Sequence, residues 1–512
     1  MSPDLSTLPG VVAVALVAVA TLAIGTWGLR FSRTTNDFFV ASRSVRPRLN
    51  ASAIGGEYLS AASFLGVAGL VLTFGADMLW YPVGWTAGYL VLMVFVAAPL
   101  RRSGAYTLPD FAEARLGSTG VRRLSSVLVV VIGWLYLLPQ FQGAGVTLEA
   151  AIGAPDWLGP TVVALVVLAG VTSGGMRSIT FVQAFQYWLK LTALLIPAMV
   201  LLIIWFGDGA ANPADAATPG SGADVWSLPL AEGGAQGLYV TYSLIIATFL
   251  GTMGLPHVVV RFYTNPDGRA ARRTTLVVLV LLGAFYLLPP IYGALGRIYA
   301  SDLVAGGGSD VLVLELPRLM VPGLMGDLLA GLITAGAFAA FLSTSSGLSI
   351  AVAGVLSQDV TSRRWGRFRL APITAFRVGA VVAVMVPTLV SLAAPEMGVA
   401  RTVGLAFAVA ASTFCPLLVL GIWWQGLTAP GAVAGLLVGG LGSGAAVLWT
   451  FLAGASTGWA SILLGQPAAW SVPSALLTMI VVSRLTRDRV PAHADRFMVR
   501  LHTPEAVELE RG

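Results

Sequence analysis

Long apolar stretches separated by short polar or arginine-bearing segments run through almost the whole chain. A helix needs about 20 apolar residues to cross the hydrocarbon core of a bilayer. By that measure the pattern predicts thirteen spans, at 9–29, 49–73, 78–100, 124–150, 157–173, 178–206, 237–258, 274–296, 326–357, 371–393, 400–421, 429–453 and 470–486. Two of them are interrupted. The second carries Gly55-Gly56, then Glu57, Ser60 and Ser63; the seventh reads Gly251-Thr252-Met253-Gly254-Leu255-Pro256-His257. Unwound backbone at membrane depth survives only where it is buried in protein or lines a cavity. Either break alone has an ordinary reading, since Gly and Pro are common in membrane helices. Two breaks at matched positions, with four spans between them, predict a carrier whose binding centre lies between repeated halves.

Composition supports a membrane protein. Of 512 residues, 56% are hydrophobic and only 11% charged, with a mean hydropathy of +0.83; a soluble chain carries roughly 25% charged residues. The single cysteine, Cys415, excludes a disulfide framework and a cysteine-based metal site. A net charge of +6 could suggest nucleic acid, but its distribution argues otherwise. Of the 30 basic residues, 26 fall in alternate loops and the tail, among them Arg101, Arg115, Arg261 and Arg363, and only Arg297, Arg318 and Arg401 fall in the other loops. That bias predicts an external N-terminus and a cytoplasmic C-terminus. The first span lacks a basic n-region and a clear cleavage site, so it reads as a retained helix. The loop 207–236 reads as a flexible connection, and Val311 to Met320 as a short helix over the outer face. The tail 487–512 is too short for a signalling domain.

In the ninth span, Ala340, Ser343 and Thr344 are spaced i, i+3 and i+4 and share one helical face. Hydroxyls together with carbonyls freed at a break form a neutral oxygen set, suited to a monovalent cation, whereas Ca²⁺ or Mg²⁺ recruits carboxylates. The ordinary alternative is that these hydroxyls bond the preceding turn or a neighbouring helix. Glu57 is the most deeply placed carboxylate: a substrate contact, a coupling group, or a partner for bared N–H groups. Lys190, the only lysine, lies near mid-membrane in the sixth span and is either a structural partner, with Glu149 as one candidate, or a charge that attracts an anion. His257 reads as a hydrogen-bonded structural residue. Trp134 and Gln140, at depth in the fourth span, are the better candidates among the aromatic and amide residues. No Walker A loop, zinc spacing, catalytic triad or channel-filter repeat occurs in the sequence, so an enzyme is not expected.

The segments DFFVASRSV (37–45), GGEYLSAASFLG (55–66), GGMRSITFVQAFQ (174–186), GLPHVVVRF (254–262), AAFLSTSSGLS (339–349) and SQDV (357–360) resemble the sodium:solute symporter family over roughly 35–485. Within it the likeness is to cation/acetate symporters, and this finer assignment leans on 55–66. The resemblance implies an all-α fold of the leucine-transporter type. Its two inverted five-helix repeats would span 49–206 and 237–421, flanked by an extra N-terminal helix (9–29), two extra C-terminal helices (429–486) and the tail. It implies a Na⁺ site made by backbone carbonyls of Gly56, Leu59 and Ala340 and hydroxyls of Ser343 and Thr344. It places substrate contacts at Gly55, Glu57, Tyr58, Ser60, Phe249, Thr252 and Met253, beside Trp134 and Gln140. Two positions depart from relatives that carry Asp there: Tyr58 and Gln183. Both remove negative charge and leave H⁺ open beside Na⁺ as the coupling ion.

The resulting expectation is a multi-pass symporter of a bacterial cell membrane that carries acetate or a similar short monocarboxylate inward with a monovalent cation. It would use no organic cofactor, no nucleic acid and no obligate protein partner. The alternatives are a symporter of proline, pantothenate, urea or a sugar, and a transporter-like sensor without flux.

Overall fold

The computed structural model describes residues 7–28, 30, 41, 44–216, 226–230, 234–305, 308–362, 371–393, 398–452 and 458–505. Most of the segment 37–45 and the arginines at 363–369 therefore lie outside the described residues. The described chain is helical, with no strand among its elements. Among the described residues, eleven helical runs are long and apolar enough to cross a membrane. The sequence pattern gives thirteen spans, and the difference lies in two runs that turn at glycines. Leu158–Gly207 contains Gly175 at φ 58°, ψ −163°, a conformation closed to side-chain-bearing residues, which separates the fifth and sixth spans. Ala62–Ser103 holds the latter half of the second span and the whole third span, divided at Gly75.

Burial is graded from inside to outside, as expected where lipid is the solvent. The eleventh span, Val399–Trp423, is buried over 94% of its apolar window, whereas the first, Leu8–Gly28, is buried over 28%. Large apolar side chains such as Ile203, Leu389, Leu441 and Leu452 point outward, which costs nothing against acyl chains. The ninth span, Leu324–Ser362, packs on the sixth, fourth, second and first spans and forms the axis of the bundle. The short helix expected over the outer face is Leu312–Met320, which buries Leu312, Leu314 and Leu316. In the tail, Ala494–His502 docks on the end of the third span, where Arg500 Nε donates to Arg102 O at 3.1 Å.

The seventh span breaks where proline requires it. Leu255, preceding Pro256, is driven out of helix to φ −72°, ψ 118°. Pro256 then opens the short helix Pro256–Val260 as a first-turn residue whose missing N–H has no helical role. The second span breaks later than its glycine pair suggests. Pro47–Tyr58 is helical through Gly55 and Gly56, and the chain leaves the helix at Leu59 (φ −72°, ψ 88°) and Ser60. It resumes through a π-helical turn, Ala62–Gly66, a form often associated with functional sites. The glycine pair serves close packing instead. A Cβ on Gly56 would stand 2.1 Å from Gln183 O, and one on Gly55 would stand 2.8 Å from the Tyr187 ring.

Candidate functional site

A helix that stops in mid-membrane bares its last carbonyls, and each needs a donor. At Pro47–Tyr58 the donors come from distant spans. Gly55 O is used locally by the Leu59 N–H at 3.1 Å. Glu57 O accepts from Thr344 Oγ1 at 2.6 Å. Gly56 O and Leu59 O both accept from Lys190 Nζ, the second at 2.6 Å. The same ammonium reaches Ser343 Oγ at 2.7 Å, while Ser343 gives its own hydrogen to Ala340 O at 3.0 Å. Gly56 O, Leu59 O and Ser343 Oγ thus converge on Lys190 Nζ, with Ala340 O reached through Ser343, while Thr344 holds the neighbouring carbonyl of Glu57.

Beside this cluster lies a buried ion pair. Glu57 Oε2 accepts from Arg261 Nε at 2.5 Å, and the two side chains are 2% and 1% exposed. Arg261 also donates to Thr180 Oγ1 at 3.0 Å and to Gln183 Oε1. Gln183 closes the circuit by donating to Ser343 O at 2.8 Å. Gly347 makes room for the carboxylate, since a Cβ there would lie 2.1 Å from Glu57 Oε1. Arginine bias places Arg261 in a polar loop; the structure places it inside the protein. Its 3₁₀ turn Arg261–Thr264 folds back under the opening half-helix, and Asn50 Nδ2 donates to Arg261 O at 3.3 Å. With these groups ionised, the centre holds two cations and one carboxylate. The carboxylate meets Arg261 through Oε2 while its Oε1 has no hydrogen-bond partner, and Lys190 makes no ion pair among the described residues, with Glu149 or any other acid. Neutral oxygens hold it instead.

The remaining candidates divide into groups. Thr252 Oγ1, which also reaches Thr248 O at 2.7 Å, shares a 2.8 Å hydrogen bond with the Tyr58 hydroxyl, a tie between the two broken spans, and Tyr58 also reaches Trp85 O at 3.4 Å. Tyr58 also meets Tyr89 edge-on at 4.7 Å and Phe407 at 6.3 Å. Gln140 Oε1 accepts from Ala61 N at 3.0 Å and so caps the second half-helix of the broken span. Ser60 is buried close to Tyr136, which stacks on His257 at 5.3 Å. Met253 is buried, and half-buried Phe249 turns its backbone to Gly84 and Gly88 of the third span. Trp134 is not brought to the centre. It lines an apolar cavity of about 380 Å³ with Val131, Leu138, Pro387 and Leu448.

The comparisons with known proteins agree with this architecture. The sequence model of the sodium:solute symporter family matches residues 38–439. The chain belongs to the sodium:solute symporter family. A relative, the uncharacterized symporter YwcA of Bacillus subtilis (strain 168), is 30% identical over 518 residues, covering 96% of this chain and 97% of the relative. Among solved structures, a Na⁺-coupled sialic acid symporter in a substrate-bound, outward-open state superposes with a TM-score of 0.70 at 15% identity, covering 93% of this chain and 98% of that one. MhsT in complex with L-phenylalanine gives 0.52 at 15% identity, over 85% and 98%. At these identities the likeness concerns the fold, which is of the leucine-transporter type. The chain is thus a multi-pass membrane symporter, and the chemistry of its centre rests on its own residues. Lys190 as a donor to the bared carbonyls, and Arg261 as the partner of Glu57, are the two contacts at this centre that motif and spacing did not assign.

Proposed function

We propose that this symporter carries a short monocarboxylate, acetate or a close relative, inward together with a monovalent cation, Na⁺, by alternating access. The observation that carries this reading is the charge at the break. With all three groups ionised, Arg261 and Lys190 stand against the single carboxylate of Glu57, so one buried positive charge is left over, and a buried charge calls for a partner. A substrate with one negative charge supplies it. A zwitterion such as proline, or a neutral sugar or urea, leaves that charge uncompensated.

The cation would be taken by the oxygens of Gly56, Leu59, Ala340, Ser343 and Thr344, which join the second span to the ninth. Neutral oxygens of this kind suit a monovalent ion. Gly55, Glu57, Tyr58, Ser60, Thr252 and Met253 line or support the two broken spans, and the aromatic rings of Tyr58, Tyr89 and Phe407 would face the alkyl end of a small acid. Because the Tyr58–Thr252 bond joins one broken span to the other, the position of either is transmitted between the repeats.

The test is uptake of labelled acetate by vesicles containing the protein, challenged with unlabelled solutes. Propionate, pyruvate or lactate should compete, whereas proline, pantothenate, urea and glucose should not. Competition by one of the latter group alone would overturn the monocarboxylate assignment. Absence of flux for every solute would favour a sensor built on the transporter scaffold.

A further inference from the structure

The ammonium of Lys190 has three N–H groups and meets three acceptors: Gly56 O, Leu59 O and Ser343 Oγ. Ser343 cannot be the donor in this contact, because its hydrogen goes to Ala340 O. The fit is that of a charged amine with every hydrogen placed. These same atoms belong to the proposed cation site, so an ion held by them would stand where Nζ stands. The two occupants exclude each other by volume and by charge.

We propose that Lys190 is a tethered cation that fills the coupling site until a free cation displaces it, and that the displaced ammonium then receives the carboxylate of the substrate. The inference rests on the reading of Gly56, Leu59, Ala340, Ser343 and Thr344 as a cation site. A lysine suits the part because its compact charge rides on a flexible four-carbon stem and can withdraw without moving the backbone. Once withdrawn it needs a counter-charge. Glu57 meets Arg261 through Oε2, and although its Oε1 has no hydrogen-bond partner, the pair carries no net charge to offer the ammonium; the ninth span meets Lys190 with the Ser343 hydroxyl. The first span carries no ionisable side chain among its described residues, and the charged residues of the fourth, Arg122, Arg123 and Glu149, lie near its ends. The incoming carboxylate supplies the negative charge that the neutral Glu57–Arg261 pair does not. Free cation and substrate then bind cooperatively for a physical reason: the cation alone strands an ammonium, and the acid alone finds that ammonium already occupied.

The test uses the full-length purified protein, with ²²Na⁺ binding and Na⁺-dependent thermal stability read with and without acetate. In the wild type, saturating acetate should tighten Na⁺ binding at least tenfold. Lys190→Met should bind Na⁺ at least tenfold more tightly than the wild type without acetate, should lose the effect of acetate, and should gain a melting temperature that rises with Na⁺. Lys190→Gln, which keeps an amide donor for the carbonyls, serves if the methionine variant does not fold, and should show the same loss of acetate linkage. Na⁺ binding no tighter in the variants than in the wild type, or linkage to acetate that survives them, overturns the proposal while leaving the cation site standing. Absence of Na⁺ binding in wild type and variants alike overturns the cation-site reading and the proposal with it.

Discussion

The Glu57–Arg261 pair offers a quantitative test of how the centre is held. Its atoms are 2.5 Å apart and its side chains are 2% and 1% exposed, so neither charge has water to fall back on. Glu57→Gln keeps the shape and the backbone bond to Thr344 but leaves Arg261 charged, with only the neutral Thr180 and Gln183 as partners. Arg261→Met leaves the carboxylate alone and strands those two acceptors. Removing one member of a buried pair costs about 3–5 kcal/mol, whereas replacing both with neutral groups costs much less. Each single variant should therefore lose about that amount. The double variant should lose no more than the worse single one, a coupling energy of at least about 3 kcal/mol. Equilibrium unfolding in mixed micelles, followed by tryptophan fluorescence, measures all four corners of the cycle. Additive losses, or a Glu57→Gln variant within about 1 kcal/mol of the wild type, would refute the pairing as the strut between the second and seventh spans.

Other substitutions probe single contacts. Thr344→Ala leaves Glu57 O without its donor and should cost about 1–3 kcal/mol in thermal unfolding; it should also raise the half-saturating Na⁺ concentration in uptake, and Thr344→Ser should restore both. Gly347→Ala places a Cβ 2.1 Å from Glu57 Oε1 and should displace the carboxylate from Arg261 at about 1–3 kcal/mol, with uptake lost before expression. Gln140→Leu strands the Ala61 N–H at the resumed helix, for about 1–3 kcal/mol and a lowered melting temperature. Asp310 accepts from Val399 N at 3.1 Å at the start of the eleventh span, and burial raises its carboxyl above the usual range. Folding therefore favours its protonated form, a contribution present at acid pH and lost as pH rises through the raised value. Asp310→Asn should remove that dependence from melting curves recorded across the mildly acidic range.

Much of this molecule is legible from the order of its residues, and the exceptions have physical causes. Apolar length gives the spans because lipid imposes one length on all of them. Pro256 locates the seventh break, since proline acts on its immediate neighbour. The glycine pair at 55–56 misplaces the second break by a few residues, because glycine can serve close approach as well as unwinding; here it admits Gln183 and Tyr187. Arginine bias reads Arg261 as a loop arginine, a statistical rule blind to the turn that tucks it beneath a half-helix. Trp134 and Gln140 share a span but not a face. Tyr136 and Gln140, four residues apart, point to the centre, while Val131, Trp134 and Leu138 line the opposite side. Lys190 was visible as a lone lysine at depth, but its acceptors lie more than 130 residues away in sequence, and no local pattern announces them.

The central claim is that a cation gradient drives a small carboxylate through the centre between the two broken spans. Its most direct test is accumulation of labelled acetate in proteoliposomes with Na⁺ and pH gradients imposed separately. The account predicts accumulation above equilibrium under an inward Na⁺ gradient, abolished when that gradient is collapsed. Acetate that merely equilibrates, at a rate indifferent to any imposed cation gradient, would contradict it.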